Sequence, residues 1–360
     1  MLNYAKIHPN TIKTEASIQR ILVAPLDWGL GHASRCVPII QDLIEKGHSV
    51  TIAAGGAQKK LLQYYFPNAT YVSIPNYNIR YSKKAWWLPF ALFFQLPKMA
   101  LAIYKEHRWL QTNVQLFDHV ISDNRYGLFN TRLKTTFITH QLIVKAPFTW
   151  AEKIIQKVQY YFINQFSECW VPDTFDYPGY AADLSHPVVM PKLPVTYIGA
   201  LSQFSVLQNA STGALPIKYK YCFLLSGPEP QRTMLQDIIE SGAQQLQAAS
   251  ILIEGRPSDL PNHYQIKNSL TKLRYASGQD LLDIILQSEF VVCRSGYSTL
   301  MELLPLHKKM VLIPTPGQTE QEYLAKSLAN RQMAVIMDQS TFDLATLNEK
   351  ADKHCFIFAS

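Results

Sequence analysis

The sequence predicts an α/β protein made of two doubly wound parallel-sheet domains. Strand-like apolar runs alternate with helical ones along nearly the whole chain, as a parallel sheet covered by helices requires. The alternation breaks once, at a polar stretch near the middle, and then restarts. The chain has 360 residues with 48% hydrophobic content, more than a single core usually holds.

The elements follow in order. The start, "MLNYAKIHPNTIKTEASIQR", is polar and lacks the apolar region of a signal peptide, so residues 1–17 are expected to be a loose extension. The first domain, 18–200, opens with the strand "IQRILVAPL", the helix "HASRCVPIIQDLIEKG", the strand "HSVTIAAG" and the helix "AQKKLLQYYFP". Further strands are expected at "ATYVSIP", "FDHVISD", "TTFITHQL", "SECWVPD" and "VTYIGAL". Residues 201–216 form the linker. The second domain, 217–340, runs from "YCFLLSG" through a helix at about Pro230 to Leu246, then "SILIEG", "LTKLRYAS", "GQDLLDIILQ", "EFVVCR", "YSTLMELL", "KMVLIPTP", "TEQEYLAKSLANRQ" and "AVIMD". The last residues, 341–360, predict one more helix that packs back across the first domain.

Five cysteines without a CxxC or zinc-type pairing suit reduced thiols in a cytosol. A net charge of +7 and a pI near 9.0 favour anionic partners. Nucleic acid is not indicated, because no basic groove with interleaved aromatics and no named motif occurs.

The first βα junction reads "APLDWGLGHASRCVPII". Gly29 and Gly31 let the chain turn tightly and lie close to a ligand or a neighbouring helix. A dinucleotide oxidoreductase would also need a carboxylate at the end of the second strand, yet that strand ends "TIAAGG". His32 opens the helix, where the dipole favours neutral imidazole, and it is either a turn-capping residue or a general base. Asp27 is the alternative base, or the group that orients His32. Asp123, in "ISDNRYG", and His140, in "ITHQL", end strands that should face the same site.

Residues 83–110, "KKAWWLPFALFFQLPKMALAIYKEHRWL", combine aromatics with basic flanks. Pro89, Gln95, Pro97 and Lys98 interrupt the run too often for a membrane span. An interfacial segment that meets an anionic membrane surface or a lipid acceptor fits better, with core packing as the alternative.

The junction "VVCRSGYSTLMELL" puts Arg294, Ser295, Gly296, Ser298 and Thr299 where a strand passes into a helix, a natural seat for phosphate. Glu302 has two readings: capping-box partner of Thr299, or a carboxylate that accepts from a ribose diol. No GxxxxGK[ST] occurs, which argues against Walker-type hydrolysis.

With "KKMVLIPTPGQTEQEYLAKSL", this junction resembles the C-terminal donor-binding domain of family 28-type GT-B glycosyltransferases, the MurG-like N-acetylglucosaminyl transferase superfamily. The family signature R-x-G-x-x-[ST]-x-x-E-L matches from Arg294 to Leu303, and "GLGH" matches its first loop loosely. The resemblance implies a GT-B fold with the donor held between two Rossmann-like domains. Ser295, Gly296, Ser298 and Thr299 would face the diphosphate of a UDP-sugar and Glu302 would grip the ribose. Tyr275 and Ala276 would lie near the uracil, and Gln318 and Gln321 near the sugar hydroxyls. Gln321 stands where the family has asparagine. Ser226 and Gly227 begin a second phosphate-facing loop, in which prolines replace small residues, so Arg232 is expected to supply the lost positive charge.

The implied reaction moves a hexose or N-acetylhexosamine from a UDP-sugar to an acceptor hydroxyl. It inverts the anomeric carbon and needs no cofactor and no metal; no D-x-D occurs in the chain. The acceptor is expected to be a lipid or glycan of the cell envelope. The protein is expected in the cytoplasm, peripheral on the inner face of the cytoplasmic membrane. Two rivals are a UDP-sugar 2-epimerase on the same frame and a non-catalytic, membrane-associated nucleotide-sugar binder.

Overall fold

The computed structural model describes residues 17–77, 95–146, 148–207, 215–227, 229–256, 265–267 and 269–358. The extension before residue 17, the first part of the aromatic segment (83–94) and linker residues 208–214 lie outside them. The chain divides into two compact units between Val206 and Leu207.

The first unit is built on seven parallel strands: β1 (Arg20–Pro25), β2 (Ser49–Ala53), β3 (Thr70–Val72), β4 (His119–Asp123), β5 (Lys134–Ile138), β6 (Glu168–Val171) and β7 (Val195–Tyr197). Ile21, Leu22, Val23 and Ala24 are all buried, the continuous apolar run of a strand covered on both faces. The order is β3-β2-β1-β4-β5-β6-β7. The chain therefore leaves β1 on one side and returns to β4 on the other, which makes a switch point between them. Helices α1 (Leu30–Glu45), α2 (Gly56–Tyr65), α3 (Leu96–Asn113) and α4 (Thr149–Ile163) accompany the sheet. Ala33, Cys36, Val37, Ile40 and Leu43 form the buried stripe of α1.

The second unit has β8 (Tyr219–Leu224), β9 (Ser250–Ile253), β10 (Gln265–Lys267), β11 (Leu270–Leu273), β12 (Ser288–Cys293), β13 (Lys309–Leu312) and β14 (Ala334–Ile336). Their order is β10-β11-β9-β8-β12-β13-β14, parallel except at β10, which runs antiparallel to β11. The helices are α5 (Gln231–Ser241), α6 (Gly278–Leu286), α7 (Tyr297–Leu303), α8 (Thr319–Asn330) and α9 (Leu344–Lys353). Here the switch point falls between β8 and β12.

Three expectations change. The first unit continues past residue 200: Leu201, Ser202, Gln203 and Phe204 are buried, and the turn Gln203–Val206 packs on α1. Phe204 anchors a stretch that reads as polar linker. The closing helix belongs to the second unit. Asp343 caps α9 by accepting from the Thr346 N–H at 2.8 Å, and Leu344, Leu347 and Ala351 join Tyr221, Leu235 and Ile239 in the second unit's own core.

The described part of the aromatic segment is core along one stripe only, while Leu96, Leu101 and Tyr104 are exposed. Helix α3 buries Ala102, Glu106 and Leu110 on one stripe, and the fully buried Glu106 carboxylate accepts from Arg125, Tyr77 and the Gly127 N–H. Gly127 is required there, because a Cβ would lie 2.3 Å from the Ile103 carbonyl. No helix among the described residues is long and apolar enough to cross a membrane.

Candidate active site

In the first unit Pro25 of β1 stands opposite Asp123 of β4, so the loop after β1 and the last residue of β4 meet at the carboxyl end of the sheet. Gly29, at φ 85°, takes a conformation that costs other residues dearly, and it launches α1. The Gln58 amide pins this loop by donating to the carbonyls of Leu26 at 2.6 Å and Gly29 at 2.7 Å. Gly31 lies half-buried in the first turn of α1, one residue before His32.

His32 Nδ1 lies 2.9 Å from Asp123 Oδ2. One turn along, Arg35 donates from Nε to the same oxygen at 2.9 Å and from Nη2 to Oδ1, while its Nη1 lies 3.2 Å from His140 Nδ1. Asp123 and Arg35 are buried; the His32 side chain keeps 14% of its surface and is the outward member of the pair. An ionised carboxylate only accepts, so Nδ1 of His32 carries the proton and Nε2 keeps its lone pair. Burial pushes the His32 pKa down; Asp123 opposes this and the Arg35 charge adds to it. Burial alone would raise the Asp123 pKa, but Arg35 and then His32 overcome that and hold it at about 2.

Of the sequence candidates, His32, Asp123 and His140 are thus brought together. Asp27 is not the orienting carboxylate. It lies 4.0 Å from Arg125 Nη2 and accepts from the Tyr77 N–H at 3.5 Å. Arg35, which links the other three, escaped the sequence reading, although its i+3 spacing from His32 on a helix put both on one face. Trp28 also escaped it: its Nε1–H is buried in the first loop without a hydrogen-bond partner.

In the second unit Leu224 of β8 stands opposite Cys293 of β12, so the loops after them are neighbours. Gly227 has φ 96° and Gly296 has an extended backbone; a Cβ built on either meets nothing within 4 Å. Both glycines therefore border open space. Ser226, Ser298 and Thr299 are half-buried beside them.

Several side chains expected on a diphosphate are engaged elsewhere. Arg294 is buried and donates to the carbonyls of Ile313, Pro314 and Gln231 and to Gln339 Oε1. It is a strut beneath the loop, and burial lowers its pKa to about 10 because all four partners are neutral. Ser295 is buried, with its hydroxyl donating to the Gln321 carbonyl at 2.7 Å. Arg232 is paired with Glu229 and bonded to the carbonyls of Glu254 and Gly255, so its charge is already compensated. Pro228, the first proline of that loop, lies outside the described residues.

The capping box does not form. The N-cap is Gly296, and no side chain caps the helix, which leaves Thr299 and Glu302 inside α7. Glu302 is buried near Tyr275, whose pKa is pushed up to about 12, by burial first and by the Glu302 charge among the rest. The base-side and ribose-side candidates thus adjoin, with Ala276 buried next to Tyr275. Gln321 is also corrected: its Oε1 accepts from the Thr315 N–H at 2.8 Å and its Nε2 donates to Gln318 Oε1 at 2.5 Å. It shapes the "PGQTEQ" loop, while Gln318, at the N-cap of α8, is half-buried. The Thr315 hydroxyl in this loop is buried without a hydrogen-bond partner. Among the described residues no group of three or more His, Cys, Asp and Glu is placed to hold a metal ion.

One surface was not foreseen. On α4, an element absent from the sequence reading, Trp150, Ile154, Val158 and Tyr161 are exposed along one face, and Lys153 and Lys157 lie beside them. The Phe148 and Trp150 rings stack at 6.1 Å.

The fold is the GT-B fold of two-domain glycosyltransferases. Within that class, residues 227–355 match the family described as "Glycosyltransferase family 28 C-terminal domain". The chain is similar in fold to the kitacinnamycin glycosyltransferase (15% identity, 94% of this chain and 91% of that one, TM-score 0.65). It is also similar to CalG4, the calicheamicin glycosyltransferase (10%, 94% and 90%, 0.63), and to the glycosyltransferase SnogD from Streptomyces nogalater (14%, 93% and 91%, 0.59). No curated protein shows a significant match to the chain.

Proposed function

We propose that the protein transfers a hexose or N-acetylhexosamine from a UDP-sugar to an acceptor hydroxyl, with inversion and without a metal. The observation that carries this reading is the His32–Asp123 pair, an outward imidazole with its Nδ1 proton held at 2.9 Å by a buried carboxylate. The Nε2 lone pair takes the acceptor's proton as its oxygen attacks the anomeric carbon, and Asp123 steadies the imidazolium that forms. The sugar's bond to the diphosphate breaks and the nucleoside diphosphate leaves.

The family match over residues 227–355 supports seating that diphosphate in the second unit. The open space above Gly227 and Gly296 supports the same seat, with N–H groups and the Ser298 and Thr299 hydroxyls as donors. Arg294 acts there through its field from below and not by contact. Tyr275 and Glu302 suit the base and the ribose.

A lipid-linked acceptor at an anionic membrane surface is favoured by the net charge of +7 and by the exposed apolar and lysine-flanked face of α4. Co-sedimentation with vesicles of anionic against neutral lipid checks this part, and equal pelleting of native and Trp150→Glu, Ile154→Glu protein would remove it.

The decisive experiment incubates the protein with a panel of UDP-sugars and a membrane lipid extract. Release of UDP together with a lipid-soluble glycoside supports transfer. Interconversion of the free nucleotide-sugar would assign epimerisation instead, and neither product would leave a binder.

A further inference from the structure

We infer that Arg35 sets two histidines in opposite tautomers, Nδ1–H on His32 through Asp123 and Nε2–H on His140 directly. One buried guanidinium thereby prepares a proton acceptor and a proton donor at the same end of the sheet. The inference rests on the proposed function only for its catalytic meaning, since the tautomers exist without any substrate.

The argument is one of hydrogen-bond inventory. A guanidinium has five N–H donors, no acceptor, and does not lose its proton in proteins. His140 Nδ1, at 3.2 Å from Arg35 Nη1, must therefore turn a lone pair toward it, and the ring proton of neutral His140 resides on Nε2. A protonated His140 would set N–H against N–H. On the other side, Arg35 grips Asp123 through two nitrogens on its two oxygens, which fixes the carboxylate plane and leaves Oδ2 to accept from His32 as well. One oxygen of the carboxylate thus receives Arg35 Nε–H and His32 Nδ1–H, with the Cys36 thiol at 3.9 Å, and His32 has its proton on Nδ1 with Nε2 bare.

The charge balance follows from the same contacts. The groups that act on His32 are Asp123 from β4, Arg35 from α1 and His140 from the loop after β5, and Cys36 Sγ lies 3.9 Å from Asp123 Oδ2. A dyad of imidazole and carboxylate alone would draw a proton onto the imidazole. Here burial favours neutral imidazole and the guanidinium offsets part of the carboxylate's opposing pull, so His32 stays neutral, and competent as a base, to lower pH. Burial first, and then the Arg35 charge, push the His32 pKa down, against the pull of Asp123. Arg35 contacts no reacting atom in this scheme and is a positioning residue.

The test reads ring nitrogens directly. Protein labelled with 15N-histidine is examined near neutral pH by long-range 1H–15N correlation, with His32→Gln and His140→Gln to assign the signals. The expected pattern is a protonated Nδ1 and bare Nε2 on His32, and the reverse on His140. In Arg35→Gln the His32 titration should move upward by about one to three pH units, the usual reach of a neighbouring charge, and His140 should lose its single tautomer. Arg35→Lys keeps the charge without the fork, so His32 should still titrate low while His140 is released. Circular dichroism verifies folding; if Arg35→Gln does not fold, the native pattern and Arg35→Lys decide. A proton on Nε2 of His32 or on Nδ1 of His140 in the native chain would overturn the inference. So would an unchanged His32 titration in folded Arg35→Gln. Failure to transfer sugar from any UDP-sugar donor would remove the proposed function and leave this result standing.

Discussion

At the carboxyl end of β1 and β4 the first unit gathers ionisable side chains, whereas at the corresponding end of β8 and β12 the second unit presents glycines and hydroxyls. Both places are switch points of the same kind of sheet. In the first, Asp123, Arg35 and His140 are consumed by one another and leave His32 as the outward group. In the second, the strong groups, Arg294 and Ser295, turn inward to hold the loop, and the outer surface is mostly backbone. The difference suits a division of labour. Moving a proton requires side chains whose charge and tautomer are fixed, while holding a phosphate requires N–H groups and room.

That comparison can be broken most forcefully at Asp123. Asp123→Asn is expected to lower turnover by about 10⁴-fold with nucleotide affinity retained, since an amide cannot fix the tautomer in the same way. His32→Ala should cost about 10²- to 10⁴-fold. Initial rates of nucleoside-diphosphate release and calorimetric titration with UDP are the measurements; normal turnover in a folded His32→Ala protein would shift the base to another residue.

The second site is challenged by filling its space. Gly296 has a backbone that any residue adopts, and its Cβ direction is empty. Gly296→Leu should therefore leave stability within about 0.5 kcal/mol while weakening UDP binding by about 100-fold. A thermal midpoint that collapses would make the glycine structural.

Acid should discriminate the units next. His119 is buried in the first unit, where burial and then the Lys134 charge push its pKa down to about 4. With an unfolded value of about 6.5, the unfolded chain binds the proton first as pH falls. The stability this group supplies is whole above pH 6.5 and is lost progressively toward pH 4, about 2 kcal/mol of it between pH 7 and pH 5. His32, also lowered, adds in the same direction. Thermal unfolding at the two pH values should show less loss in His119→Gln than in the native chain.

The smallest effect is expected at Glu302. Glu302→Gln should weaken UDP-sugar binding by about tenfold and change stability by about 1 kcal/mol or less, as it caps no helix in this structure. Unchanged affinity would remove it from the ribose.

Much of the site was legible before the fold was known, and the omissions have a common cause. His32 at a helix opening after two glycines, and the run from Arg294 to Glu302 between a strand and a helix, are local patterns that chain geometry makes meaningful. Helix α4 was also legible, from Trp150, Ile154 and Val158 at helical spacing, and its absence from the reading hid the exposed apolar face. Residues 96–110 have two faces: Leu96, Leu101 and Tyr104 are exposed, as their apolar run on the surface suggested, while the buried pairing of Glu106 with Arg125 ties the other face into the core.

By itself the sequence determined the alternation of strands and helices, the two sheets, the glycine turns and the residue types at each junction. These follow from periodicity and backbone sterics within a few residues. Tertiary structure alone decided which carboxylate serves His32. Asp27 is five residues away and Asp123 is 91, yet it is Asp123 that β4 places beside β1. It also decided that Arg294 and Ser295 face inward and that Arg35 completes the histidine cluster. Those outcomes depend on strand order and on what fills the space behind each loop, and no short stretch of sequence contains either.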